Sequence, residues 1–113
     1  MIKIYHNNRC RKSREGLQIL EKSGKDFEVI NYLENPPSEK ELNNIVKLLN
    51  IKPIDLVRKN ETIWKENFKG KTLSDSEIIG AMAKNPKLVE RPIITNGNKA
   101  IIGRPPEVIS GIL

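Results

Sequence analysis

The chain has 113 residues, 37% of them hydrophobic, which suits one folded domain with one core and excludes a disordered chain. No apolar run is long enough to span a bilayer, and Met1 leads at once into a strand-like segment rather than a signal peptide, so a cytoplasmic setting is expected. The net charge is +6, and residues 1–25 carry most of it: Lys3, Arg9, Arg11, Lys12, Arg14, Lys22 and Lys25 stand against Glu15 and Glu21.

Residues 2–5 read as a strand. A helix should follow from near Cys10 to Ser23, with Leu17, Ile19 and Leu20 as its apolar positions and Gly24 as its stop. Phe27 to Asn31 reads as a second strand, and strand, helix and strand of these lengths suggest a right-handed parallel unit. Pro37 precedes Ser38-Glu39-Lys40-Glu41, a capping box. Leu42, Ile45, Val46 and Leu49 then follow at the spacing of an amphipathic helix. Pro53 starts a shorter helix with Ile54, Leu56 and Val57. Ile63, Trp64 and Phe68 are expected core anchors of a further helical piece. Ser74-Asp75-Ser76-Glu77 is a second capping box; it opens a helix with Ile78, Ile79 and Met82 that must stop before Pro86.

Pro92 to Thr95 and Lys99 to Ile102 read as strands around the turn Asn96-Gly97-Asn98. Pro105 and Pro106 launch a last helix through Val108, Ile109, Ile112 and Leu113. The order β-α-β, helices, β-β-α is that of an α/β, thioredoxin-like fold. We expect one domain, 1–113, with a helical insertion of about 36–86 after the second strand.

Cys10 is the only cysteine. A single cysteine excludes an internal disulfide framework and argues for a reducing compartment, and one Cys with one His argues against a protein-only zinc site. Its place between a strand and a helix puts it near free N–H groups and the positive end of the helix dipole. Four cationic side chains and His6 lie within four residues of it. Such surroundings turn a thiol into a nucleophilic thiolate and suit an anionic substrate. A basic chain could bind nucleic acid, but that would call for a longer basic stripe and more than five aromatic residues.

Around the cysteine, His6 as an imidazolium would favour the thiolate by charge; a surface histidine with no role is the alternative. Ser13 makes the motif Cys-x-x-Ser and can either hydrogen-bond the thiolate or cap the helix. With no second cysteine, an intermediate on Cys10 must be resolved by an outside thiol. Arg58, Arg91 and Arg104 stand at element ends, where guanidinium forks can bind tetrahedral oxyanions or form surface ion pairs. Pro92, at a strand start, can be cis or trans.

In order along the chain, His6-Asn7-x-x-Cys10-x-x-Ser13-Arg14, Tyr32-Leu33-Glu34-x-Pro36, Leu56-Val57-Arg58-Lys59, Asn85-Pro86-x-Leu88-x-x-Arg91-Pro92-Ile93 and Gly103-Arg104-Pro105-x-Glu107 resemble the glutaredoxin-coupled arsenate reductase family (ArsC-like), especially its short bacterial members. The resemblance implies Cys10 as the nucleophile that attacks arsenate and His6 as an aid to its ionisation. It implies Arg58, Arg91 and Arg104 as ligands of arsenate and of the arsenic-bearing intermediates, and Pro92 as a cis proline. It further implies glutathione as co-substrate and glutaredoxin as partner, with no metal or bound cofactor. The chain departs from the family pattern at Asn8, where proline is usual, and at Arg11 and Lys12, where small residues are usual. Nothing in the sequence requires a dimer, so a monomer is expected, with neither nucleic acid nor membrane as partner. Two other readings share the fold. One is a redox regulator of the Spx type that binds RNA polymerase; Ser13 in place of a second cysteine and the presence of Arg104 count against it. The other is a thiol-redox enzyme acting on another oxyanion or on a glutathionylated protein.

Overall fold

A computed structural model describes residues 1–113. Contacts divide the chain into two compact units, Met1–Asn35 with Arg91–Leu113, and Pro36–Glu90.

The first unit is built on a four-stranded sheet of β1 (Ile2–His6), β2 (Phe27–Asn31), β3 (Ile93–Asn96) and β4 (Lys99–Ile102), in the order β2-β1-β3-β4. β1 pairs parallel with β2, Ile4 opposite Val29, and antiparallel with β3, Ile4 opposite Ile94. The parallel pair needs a crossover, and helix α1 (Arg11–Ser23) supplies it. α1 ends where Gly24 takes a left-handed φ of 74°, a conformation that glycine adopts without a Cβ penalty. The antiparallel hairpin turns through Gly97-Asn98, with Asn96 opposite Lys99. Ile2 and Ile4 from β1, Leu20 from α1, Ile94 from β3, and Ile109 and Ile112 near the C-terminus form its core.

The second unit holds α2 (Glu39–Leu49), a short 3-10 turn at Pro53–Leu56, α3 (Thr62–Asn67), α4 (Asp75–Lys84) and another 3-10 turn at Pro86–Leu88. Its buried side chains include Leu42, Ile45, Val46, Leu56, Trp64, Ile78, Ile79, Met82 and Leu88. Ser38 Oγ accepts the Glu41 N–H at the start of α2. At α4 the capping box is complete: Ser74 Oγ accepts the Glu77 N–H, and Glu77 Oε1 accepts the Ser74 N–H. Trp64 is buried and stacks on Phe68 at 5.4 Å, one helical turn away.

Two segments differ from the sequence expectation. Pro53–Leu56 and Pro106–Ile112 are 3-10 rather than α-helical. Both begin at a proline, and the bonds Val57 N–H to Ile54 O and Val108 N–H to Pro105 O span three residues. At the end of the helical unit Val89 bridges to Val57 and the Glu90 N–H donates to Leu56 O. No helix is long and apolar enough to cross a membrane.

Candidate active site

Cys10 sits where β1 gives way to α1. Its backbone is extended (φ −98°, ψ 121°), and it occupies the N-cap position of the helix, so its side chain stands where a capping oxygen would otherwise be. The turn that delivers it is short. Cys10 N–H donates to Asn7 O at 3.0 Å, and Arg9 N–H donates to Asn7 Oδ1 at 3.0 Å, an Asx turn. Arg14, in the first turn of α1, donates from Nη1 to Asn8 O at 3.1 Å.

Beneath the cysteine lies a buried polar cluster. Ser13 is fully buried, and its Oγ accepts the Asn7 N–H at 3.0 Å and shares a 2.6 Å hydrogen bond with His6 Nδ1. The Ser13 hydroxyl is therefore committed to the strand end rather than to capping the helix. Its contribution to the sulfur comes instead through its backbone N–H.

The unit's second half brings two arginines to the same place. β3 follows a cis Arg91–Pro92 bond, and β4 is followed by a cis Arg104–Pro105 bond, which the sequence reading did not single out. Arg104 Nε donates to Arg91 O at 2.8 Å, and Arg104 Nη2 donates to Cys10 Sγ at 3.5 Å. The Arg91 guanidinium also hydrogen-bonds the thiol. Pro92 is clasped in this arrangement. Gly103 N–H donates to Pro92 O at 2.8 Å, and the ring lies so close to Gly16 of α1 and to Gly103 that a Cβ at either would stand about 3.0–3.1 Å from Pro92 Cγ.

Opposing influences set the ionisation of Cys10. Burial is the largest single one and pushes the thiol pKa up. The Ser13 N–H, the hydrogen bond and charge of Arg91 and the Lys12 N–H outweigh it together, and the net shift is downward. His6 behaves differently from expectation. It is only 6% exposed, and burial first, then the charge of Arg14, lowers its pKa against an opposing hydrogen bond with Ser13. The lowered pKa disfavours the imidazolium and so weakens any help His6 could give the thiolate by charge. Its hydrogen bond to Ser13 links it to the turn that carries Cys10.

The residues matched to the ArsC family model run from 5 to 112, nearly the whole chain. The chain belongs to the ArsC family. This ArsC chain is 41% identical to a protein named arsenate reductase in Haemophilus influenzae, over 97% of each chain. It is 45% identical to a protein of Escherichia coli named only as uncharacterized protein YfgD, over 99% of this chain and 96% of that one. Among solved structures it superposes on the arsenate reductase from Vibrio cholerae with a TM-score of 0.94 at 43% identity, covering 99% of this chain and 97% of that one. The thioredoxin-like architecture read from the order of elements is the ArsC fold.

Cys10, His6, Ser13, Arg91, Pro92 and Arg104 all belong to the sheet-containing unit and lie together there. Arg58 belongs to the helical unit. Its Nη1 donates to Glu90 Oε1 at 3.2 Å, its Nε lies 3.6 Å from Glu61 Oε2, and its backbone N–H donates to Leu88 O at 2.7 Å. Asn7, a motif residue in the sequence, also belongs to this site. Asn7 is 9% exposed and holds the turn by three hydrogen bonds. The available signal was an Asx residue three positions before the cysteine.

Proposed function

We propose that this chain is an arsenate reductase that uses Cys10 as its nucleophile and takes its electrons from glutathione and glutaredoxin. The observation that carries the reading is a single thiol, shifted toward the thiolate, with the guanidiniums of Arg91 and Arg104 on its sulfur. Two cationic forks beside a nucleophile fit a tetrahedral dianion better than a neutral substrate. Structural cysteines ordinarily lie buried among apolar atoms and lack such partners. The relatives named arsenate reductases agree with this substrate.

The steps follow from the thiol count. The Cys10 thiolate forms a sulfur–arsenic bond, and one arsenate oxygen leaves as water after protonation. Arg91 and Arg104 hold the charge on the remaining oxygens. Glutathione displaces a second oxygen in the same way, so that arsenic carries two sulfurs. A glutaredoxin thiolate then attacks the glutathione sulfur. The arsenic–sulfur bond breaks with its electron pair left on arsenic, As(V) becomes As(III), and the two thiols leave as one mixed disulfide. Hydrolysis returns arsenite and the Cys10 thiol. Two electrons come from two outside thiols, so neither a second cysteine nor a resident cofactor is required. Arg58 is assigned an oxyanion-binding part on the family resemblance.

The test is arsenite production from arsenate by the purified protein with glutathione and glutaredoxin. Wild-type turnover that disappears in Cys10→Ser and falls at least tenfold in Arg91→Ala, Arg104→Ala and Arg58→Ala is expected, the loss typical of one charged transition-state contact being of order 10²-fold. No turnover by folded wild type with a reactive Cys10 would shift the reading to thiol-redox chemistry on another partner.

A further inference from the structure

We infer that Asn7 is a positioning residue for the nucleophile: its side chain sets the turn that presents the Cys10 sulfur to the N–H groups of α1. The inference rests on Cys10 being the nucleophile but not on arsenate being its target.

β1 ends at His6 and α1 begins at Arg11, so four residues must turn an extended chain into a helix. Asn7 supplies three of the bonds that fix this turn, and each goes to a different residue. Its C=O accepts Cys10 N–H, its Oδ1 accepts Arg9 N–H, and its N–H donates to Ser13 Oγ, each at 3.0 Å. The first fixes the backbone of the nucleophile. The third fixes the residue whose own N–H serves the sulfur. The second, the side-chain bond, closes the turn between them.

The residue type follows from these demands. Any residue other than proline could make the two backbone bonds. Only Asn, Asp, Ser or Thr can also take the N–H two positions on. The site is nine-tenths buried beside a thiol that has to ionise. An Asp carboxylate there would face a desolvation cost and would repel the thiolate, whereas the neutral amide does neither. Ser and Thr keep the turn with a shorter and weaker acceptor.

The experiment measures the second-order rate of Cys10 alkylation by iodoacetamide from pH 5 to 10, a readout independent of arsenate, glutathione and glutaredoxin. Asn7→Ala is expected to slow the reaction at pH 6 about tenfold, the effect of one pKa unit, while its rate at high pH stays that of wild type. Asn7→Ser restores the pH 6 rate to within about threefold, because it restores the turn. A merely structural role would lower thermal stability and leave the pH profile of the folded protein in place. Superposition of the Asn7→Ala and wild-type profiles, or a Ser variant as slow as the Ala variant, overturns the assignment. If Asn7→Ala does not fold, Ser and Gln decide, because Gln keeps the amide but cannot close the turn. A Ser profile near wild type with a Gln profile shifted to higher pH upholds it, and coincident Gln and wild-type profiles overturn it.

Discussion

At Cys10 the same burial that shelters the sulfur also resists its charge, and the outcome depends on donors that arrive from distant parts of the chain. Arg104 is 94 residues away in sequence and Arg91 not many fewer, yet both guanidiniums meet the thiol. Removing either cation should therefore raise the pH at which Cys10 alkylates. Arg91→Ala is expected to shift the midpoint upward toward the free-thiol value of about 8.5, and Arg104→Ala to shift it in the same direction. A midpoint unchanged in both variants would remove the arginines from thiolate stabilisation. His6 gives a second prediction, through folding. Its pKa is lowered in the fold, so the unfolded chain binds the proton more readily. The stabilisation is complete above the unfolded value of about 6.5 and is lost as pH falls through the lower folded value. Thermal melts should show wild-type stability declining on this acid side, with a flatter limb in His6→Gln; parallel limbs would contradict it. The lowered pKa of Cys10 was legible from residues near it in sequence, because a lone cysteine between a strand and a helix among cations is a local pattern. The lowered pKa of His6 was not, since burial is a property of the folded chain. The occupation of the Ser13 hydroxyl by His6 and Asn7 was hidden for the same reason.

Among the elements, the site depends on how tightly β3, β4 and α1 close on Pro92. Gly16 and Gly103 lie against the same proline ring and against Ile109. A Cβ at Gly103 would stand 2.9 Å from Ile109 Cδ1 and 3.0 Å from Pro92 Cγ. The proline ring is stiff and Ile109 is fully buried, so neither can swing clear. Gly103→Ala is expected to destabilise the protein by about 1–3 kcal/mol, the range for overpacking a filled core, measured by chemical denaturation. A cost near zero would show that the clasp is slack. Gly103 was read from sequence only as part of the Gly-Arg-Pro motif, because its constraint is a contact with Pro92 and Ile109 rather than a turn. Gly24 was the opposite case: a glycine after the last apolar position of a helix announces a left-handed cap, and its φ is 74°. The Ser74–Glu77 box and the turn at Gly97-Asn98 were legible for the same reason, since each is chemistry between residues at most three apart. The 3-10 character of Pro106–Ile112 was not, because periodicity of apolar residues does not separate one short helix type from another.

For the whole molecule, the excess of positive charge is concentrated in the segment that carries Cys10. Such a field raises the local concentration of anions and is screened by salt. The reaction of Cys10 with an anionic aromatic disulfide should slow as ionic strength rises from about 0.01 to 0.15 M, where the Debye length shrinks from about 30 to 8 Å. A neutral disulfide should show no such dependence, and equal salt profiles for the two would deny the charge any steering role. The ArsC fold supplies the frame for this chemistry: a strand that ends at the cysteine, a helix that begins on it, and two later strands that bring arginines back to it. The proposed chemistry requires an arsenic–sulfur bond on Cys10 during turnover. The most direct measurement is intact-protein and peptide mass spectrometry after mixing the reduced protein with arsenate and glutathione, with glutaredoxin left out. An arsenic-bearing adduct on the Cys10 peptide, absent without arsenate and absent in Cys10→Ser, is the predicted result. A protein that stays unmodified under these conditions while its Cys10 alkylates at full rate would contradict the account.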